Sequence, residues 1–475
     1  MTLATPRGSH PAPGPNGTAP AVAGRRMEVC VVGAGYVGLT AAACLAALGH
    51  RVRCLEANPS RLATLRAGGV PIIEPGLEDL VRAHSASGRL TFTDDIAAAV
   101  GGAEVALLCV GTPPRADGQP DLRQLATATR EAAAAATGDL LLVVKSTVPP
   151  GTCEALELLA EPSDPAFRVA VASNPEFLRE SRAVWDFFHP DRVVIGANDP
   201  DLGRLVAALY PADWPTLMCD RRSAELVKYA ANTFLAVKIS FANEIAALCE
   251  ALGADAERVL AGVGLDSRIG PAFLGPGPGF GGSCLPKDVS GLVAVAESVG
   301  QPATMARAAV QVNAQARDGL IAKLQATLGS LVGARVGVLG LAFKPGTDDI
   351  RHSPAVGLVR ALTLAGAEVT VHDPLVAPGA VPGARVDDPY AAAADADALV
   401  VATAWPVYAT LSPERLQRAM RGRVVLDAVG VLDPEACAAA GLDTYGVGRG
   451  RPLAFYPVVW SPLQWTLDEG DPSPA

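Results

Sequence analysis

From Met27 onward, apolar runs of strand length alternate with longer Ala-rich stretches of helical length. The runs are Val29 to Val32, Val105 to Val110, Leu140 to Val144, Val169 to Ala172 and Val193 to Ile195, and Arg51 to Leu55 also reads as a strand. The alternation predicts a mostly parallel sheet wrapped by helices. Between Ser223 and Leu252 the pattern changes to one long helix without Pro or Gly, and Pro302 to Leu328 predicts another. Both are too apolar to stand alone and read equally as core helices or as a dimer seam. A second alternating region follows: strand Arg335 to Leu341, helix Pro354 to Leu364, strand Glu368 to His372, and strands near Ala398 to Thr403 and Arg423 to Leu426. The expected fold class is α/β, with two doubly wound Rossmann-like domains joined by a long central helix.

Length and charge narrow this picture. A chain of 475 residues has room for two or three domains. A net charge of −10 argues against nucleic acid as a partner. No apolar run is long enough and free enough of charges and breakers to suggest a membrane span, and a cytoplasmic location is expected. Residues 1–26, rich in Ala, Pro and Gly, read as a disordered extension without the apolar core of a signal peptide. Nine scattered cysteines and six histidines form no metal-spaced cluster, so neither disulfides nor a metal is expected.

Two motifs carry chemistry. Gly33-Ala-Gly35-Tyr36-Val37-Gly38 follows the first strand and opens a helix, Leu39 to Leu48, and the next strand ends at Glu56. This is the βαβ setting of a dinucleotide site: Gly33 makes the turn, Gly35 clears space for a pyrophosphate, and Gly38 packs helix on strand. Glu56 would accept hydrogen bonds from a ribose and repel a 2′-phosphate, which favours NAD; Arg61 could reach such a phosphate and soften that preference. The second motif, Gly279 to Asp288, sets Cys284 in a glycine-rich loop beside Lys287 and Asp288. A helix expected from Lys287 to Val299 would place the thiol near an N-terminus, where the dipole and Lys287 lower its pKa. A buried cysteine beside a tight turn is the plainer alternative. Thr112, Thr147 and Glu176 each fall just past a predicted strand, where open α/β sheets face their ligand crevice.

Taken together the motifs resemble the UDP-glucose/GDP-mannose dehydrogenase family. The matching strings are GAGYVG, PIIEPGL (71–77), VGTP (110–113), KSTVPPGT (145–152), NPEFLRE (174–180), PDRVVIG (190–196), SAELVKYAANTFLAVKISFANEI (223–245), GFGGSCLPKD (279–288) and FKPGTDDIRHSP (343–354). They occur in the family's order over nearly all of Met27 to Gly448, and GLDSRIGPAFL (264–274) is similar to the UDP-glucose branch. The resemblance implies a four-electron oxidation of a sugar CH2OH to a carboxylate with two NAD, through a thiohemiacetal and a thioester on Cys284. It implies that Lys228 stabilises the developing alkoxide, and that Asn232, one helical turn on, points into the same site. Asp288 would tune the thiol or orient water, and Glu176 and a water on Thr147 would serve acid–base steps. Taken singly, Lys228 also reads as a surface lysine on a buried helix, Asn232 as a cap or an interhelix bond, Glu176 as closing a turn and Thr147 as a helix cap.

On the cofactor side the resemblance adds Arg61, Thr112, Thr147, Glu180, Lys287 and Arg351. On the substrate side it adds Phe177, Leu178 and Arg179, Phe280, Gly281, Gly282 and Ser283 around the sugar, with Lys344 and Arg268 for the diphosphate. Arg268 is implied to reach a neighbouring subunit, so a homodimer or higher homo-oligomer is expected. The implied substrate is UDP-glucose or a related nucleotide sugar. The implied domains are 27–220 for NAD, 221–330 central and helical, and 331–475 for the nucleotide sugar. One departure stands out. Where the family has Asp-Gly-Arg, this chain has Asp427-Ala428-Val429. Loss of that arginine suggests a looser nucleotide preference that admits dTDP-glucose, unless Arg449 or Arg451 takes over. The rival readings are the same chemistry on GDP-mannose, a two-electron β-hydroxyacid dehydrogenase with no use for Cys284, and a non-catalytic sensor of NAD and sugar.

Overall fold

The structure, a computed structural model, describes residues 25–448. The proposed N-terminal extension, except Arg25 and Arg26, lies outside the described residues, as do Arg449 and Arg451. The chain divides into two compact units. One comprises residues up to Phe234 together with Lys287–Ala303; the other comprises Leu235–Pro286 together with the chain from Thr304.

The first unit is built on eight strands: β1 (Glu28–Val32), β2 (Arg51–Leu55), β3 (Leu90–Thr93), β4 (Val105–Leu108), β5 (Leu140–Val144), β6 (Val169–Ser173), β7 (Val193–Gly196) and β8 (Thr216–Cys219). They lie in the order β3-β2-β1-β4-β5-β6-β7-β8. The first six give the doubly wound order of a dinucleotide-binding sheet. Alternate residues of β1 serve two cores: Val29 and Val31 pack on one face, Cys30 and Val32 on the other. This is why its sequence is apolar at consecutive positions. Helix α1 (Tyr36–Ala47) covers one face, and its run Ala41-Ala42-Ala43 is wholly buried. Side chains this small let the helix axis approach the sheet closely. The sheet departs from uniformly parallel pairing at one point: β7 meets β6 antiparallel, at Ser173 opposite Gly196. A Cβ on Gly196 would lie 2.5 Å from the Ala224 Cβ, so the glycine lets the strand end abut helix α2 (Arg221–Leu252).

The second unit carries a six-stranded parallel sheet. Its strands are β9 (Arg335–Leu339), β10 (Glu368–His372), β11 (Ala384–Arg385), β12 (Ala398–Val401), β13 (Val424–Asp427) and β14 (Asp443–Gly446). Their order, β11-β10-β9-β12-β13-β14, repeats that of the first six strands of the other sheet. Both sheets are therefore Rossmann-like.

Helix α2 runs unbroken for 32 residues. Within the chain it is not buried all round. Phe234 (65 % exposed), Phe241 (44 %) and Leu248 (51 %) recur every seven residues along one stripe. Helix α3 (Leu285–Ser298) starts two residues earlier than the sequence predicted, with Pro286 in its first turn, where a missing N–H costs nothing. Helix α4 (Thr304–Leu328) follows. Strands β3, β8, β11 and β14, each of four residues or fewer, did not stand out in the pattern reading.

Candidate active site

In the first unit the turn after β1 is set by sterics. Gly33 takes φ +98° and its N–H donates to the Leu55 carbonyl at 2.9 Å. A Cβ at Gly38 would fall 1.8 Å from the Gly33 oxygen, so only glycine allows the helix to start there. Gly35 faces open space, and α1 begins at Tyr36 without any side-chain cap. The first-turn amides are thus left for an anion, with the helix dipole behind them. Buried Glu56, one residue past β2, accepts from the Asn58 N–H at 2.8 Å. The Arg61 guanidinium donates to the Ala34 carbonyl at 2.8 Å and stands 3.8 Å from Glu56. Arg61 is therefore committed to bracing the turn beside the carboxylate. An open turn with uncapped amides and an acidic strand end fits a dinucleotide without a 2′-phosphate. Beneath it lies Cys109, whose thiol burial pushes up to about 12. Thr112 Oγ1 donates to the Thr147 carbonyl at 3.0 Å, joining two loops past strand ends.

A polar cluster forms where α2 meets the loop after β6. Lys228 Nζ donates to Glu176 Oε1 at 3.1 Å, both side chains buried, and the ammonium lies 5.4 Å from the Phe177 ring centre. One turn further, Asn232 Nδ2 donates to Asp288 Oδ2 at 2.5 Å, and Lys287 Nζ reaches the other Asp288 oxygen at 2.5 Å. Asp288 is fully buried, so both donors are needed to satisfy its charge. Helix α3 can approach α2 because Gly291 sits where any Cβ would fall 2.6 Å from the Tyr229 ring. Burial drives the Tyr229 hydroxyl well above its ordinary pKa, with Asp288 adding to the shift, so it stays neutral. The structure thus gathers Glu176, Phe177, Lys228, Asn232, Lys287 and Asp288. Glu180 and the Leu178–Arg179 backbone belong to the same loop, where Arg179 pairs with Asp186 at 2.5 Å. Glu176 also accepts from the Leu178 N–H at 2.6 Å, which fixes the loop's own start.

Two supporting residues were not singled out from the sequence. Glu225, one turn before Lys228, accepts from the Gly151 and Cys153 amides at 2.6 and 2.8 Å. It anchors the loop that carries Thr147, and burial raises its pKa. Its place inside the SAELVKYAAN string was the available signal. Arg192 stacks 3.8 Å from the Phe177 ring centre, a contact with no periodic signature.

In the second unit the glycine-rich loop is held as closely. The Phe280 backbone exchanges two hydrogen bonds with the Asn313 amide of α4, at 2.6 and 3.1 Å. A Cβ on Gly281 would meet the His352 oxygen at 2.5 Å, and one on Gly282 (φ +83°) the Phe343 ring at 2.7 Å. Gly282 N–H donates to the Arg351 carbonyl at 3.0 Å. The loop therefore delivers Ser283 and Cys284, 3.6 Å apart at Oγ and Sγ, directly before α3. Cys284 is half-buried, whereas seven of the nine cysteines are fully buried. Lys344 lies 5.6 Å from the Phe343 ring centre, and Arg351 forks onto Asp349 at 2.6 Å. Arg268 is exposed and forks onto Asp266 at 2.6 Å. Past β13, Asp427 accepts from the Val429, Gly430 and Leu432 amides at 3.1, 2.8 and 2.7 Å. Val429 packs against the core. Among the described residues no group of three or more His, Cys, Asp or Glu could hold a metal, and no helix is long and apolar enough to cross a membrane.

The fold and the first turn define a dinucleotide-binding protein of the Rossmann class. Family models for the UDP-glucose/GDP-mannose dehydrogenase family match the chain in three parts: the NAD-binding domain at residues 27–212, the central domain at 222–315 and the UDP-binding domain at 337–434. A UDP-glucose 6-dehydrogenase from Rhizobium meliloti is 43 % identical over 435 residues, 89 % of this chain and all of the relative. One from Pseudomonas aeruginosa is 43 % identical over 444 residues, 90 % of this chain and 98 % of the relative. A UDP-glucose dehydrogenase structure from Pyrobaculum islandicum superposes with TM-score 0.83 at 42 % identity, covering 91 % of this chain and 99 % of that one. The chain belongs to the UDP-glucose/GDP-mannose dehydrogenase family, and it is an NAD-dependent dehydrogenase.

Proposed function

We propose that this protein oxidises C6 of UDP-glucose from primary alcohol to carboxylate, giving UDP-glucuronate, with Cys284 as the covalent nucleophile. The observation that carries this reading is the paired set Lys228–Glu176 and Asn232–Asp288–Lys287, with Cys284 four residues ahead of Asp288. A two-electron dehydrogenase has no need of that thiol. The names of the relatives support the substrate. The turn Gly33 to Gly38, Glu56, Arg61, Thr112, Thr147, Glu180, Lys287 and Arg351 would hold NAD. Held there, NAD would supply the hydride acceptor for each of the two oxidation rounds. The Lys228 ammonium stabilises the alkoxide as the alcohol proton leaves, with Glu176 and a Thr147-held water as its acceptors. The Cys284 sulfur then adds to the aldehyde carbon, and Lys228 and Asn232 hold the oxyanion. Departure of the second hydride leaves a thioester. Water breaks its C–S bond with Asp288 orienting the attack, and the thiolate is restored. The sum is RCH2OH + 2 NAD⁺ + H2O → RCOO⁻ + 2 NADH + 3 H⁺.

Substrate anchoring falls to Phe177 through Arg179, to Phe280 through Ser283, and to Lys344. Arg268 completes the site of a second copy of the chain. The exposed stripe Phe234, Phe241 and Leu248 supports a homodimer, which light scattering would test. Val429, in the place where the family carries arginine, supports dTDP-glucose as a second substrate. A preference for UDP-glucose above about a hundredfold in kcat/KM, some 2.7 kcal/mol, would remove that extension. The decisive assay counts NADH formed per UDP-glucose with limiting sugar and excess NAD. A ratio of two is expected. A ratio of one would establish the two-electron reaction, and no turnover would turn the question to GDP-mannose.

A further inference from the structure

The loop that carries Glu176 and Glu180 is tied at its far end to the dinucleotide turn by a link that the proposed chemistry does not use. Tyr36, the first residue of α1, donates its hydroxyl proton to Glu74 Oε2. The same hydroxyl oxygen accepts from the Ser181 N–H at 2.7 Å. The other Glu74 oxygen accepts from the Val184 N–H at 3.3 Å. Both Glu74 and Val184 are buried. Ser181 is a non-glycine residue in the left-handed region, at φ +61°, a conformation that persists only when its surroundings hold it. Residues 174–180 form no helix or strand, so their course depends on their two ends. One end is fixed by Lys228 on Glu176; the other is fixed by Tyr36 and Glu74.

We propose that Glu74 and the Tyr36 hydroxyl are positioning residues that couple occupancy of the dinucleotide turn to the course of the 176–180 loop. The inference rests on the reading that the turn holds NAD and the loop faces the sugar. Tyr36 has its backbone in the turn and its ring tip on the loop, so a ligand that fixes the first-turn amides also fixes the hydroxyl. The hydrogen-bond pattern makes Glu74 hard to replace. A carboxylate can accept from both Tyr36 and Val184, whereas a carboxamide has a single oxygen. Glu74→Gln must turn an NH2 toward the Val184 N–H or toward a Tyr36 oxygen already engaged by Ser181. Tyr36→Phe deletes the link from the other side.

The test is amide hydrogen exchange of the 174–180 peptide in the full-length protein, with and without NADH, in parent, E74Q and Y36F. Thermal unfolding serves as the check that each variant folds, and Y36F carries the test if E74Q does not. In the parent, NADH should slow exchange by about tenfold or more; in the variants the NADH-induced slowing should shrink to about twofold or less, although NADH still binds at higher concentration. Equal slowing in the parent and the folded variants, or none in the parent, would overturn the coupling. The readout needs no sugar and no turnover. A parent that oxidises UDP-glucose at a ratio of two, yet shows equal slowing in all three proteins, would refute the relay alone. A parent that slows as expected but does not oxidise UDP-glucose would refute the substrate alone.

Discussion

The two sheets of this chain begin with the same turn and use it oppositely. Gly33 after β1 and Gly340 after β9 have φ of +98° and +96°. Each donates its N–H to the last residue of the adjoining strand, Leu55 at 2.9 Å and His372 at 2.8 Å. Each adjoining strand is followed by a carboxylate, Glu56 or Asp373. There the likeness ends. Asp373 is fully buried and accepts from Leu341 N, Ala342 N and Trp405 Nε1 on one oxygen, and from Leu375 N and Val376 N on the other. Glu56 leaves the amides of its turn alone. In the second sheet the turn is satisfied by its own protein; in the first it is left for a ligand. A Rossmann-like strand order therefore does not by itself make a dinucleotide site. What decides is whether the residue after the second strand is spent on the amides of the turn after the first.

The largest effect expected from breaking this comparison is at Gly38. Gly38→Ala places a Cβ 1.8 Å from the Gly33 oxygen, and NADH affinity measured by fluorescence should fall by about a hundredfold or more, about 2.7 kcal/mol. Next comes Asp373→Asn, which keeps one acceptor oxygen for five donors. It should destabilise the second unit by about 2–4 kcal/mol in urea unfolding. Its counterpart, Glu56→Gln, should leave unfolding nearly unchanged and weaken NAD binding about tenfold, about 1.4 kcal/mol. Equal stability losses for the two would erase the distinction.

The smallest effect concerns pH. His50 is buried in the first unit; its Nδ1 accepts from Met27 N–H at 3.2 Å, and its Nε2 faces the Leu209 carbonyl at 3.1 Å. Burial lowers its pKa below 6.5, as burial also does for His372 in the second unit. Each therefore takes up its proton at lower pH in the folded protein than in the unfolded chain. Stability is therefore full above pH 6.5 and falls as pH drops below it toward the depressed folded values. His50→Gln should flatten that decline by about 1 kcal/mol or less, read from melting temperatures at pH 5 and 7.

How much of this was legible beforehand follows from the kind of signal each feature leaves. Strands buried on both faces announced themselves, and helix Pro354–Leu364 and strand Glu368–His372 fell at the positions expected. Strand ends were overrun by a residue or two where apolar loop residues continue the run, as Cys109 and Val110 do after Leu108. The chemical residues were legible because they sit in dense motifs. Their partners were not. That Lys228 pairs with Glu176 across 52 positions, or that Tyr36 reaches Ser181 across 145, is set by the crossing of distant loops, and no local pattern encodes it.

The uneven burial of the cysteines has a practical meaning. Most thiols are locked in the two cores, and burial raises the pKa of those beneath the first sheet. An electrophile meeting the folded protein finds few thiols within reach, Cys284 and Cys219 above all, and burial raises the pKa of Cys219, with Asp220 adding to the shift. The molecule thus carries its own selective labelling handle. A thiol-directed reagent applied under native conditions would mark the proposed nucleophile, and protection by a nucleotide sugar would report site occupancy without any measurement of turnover.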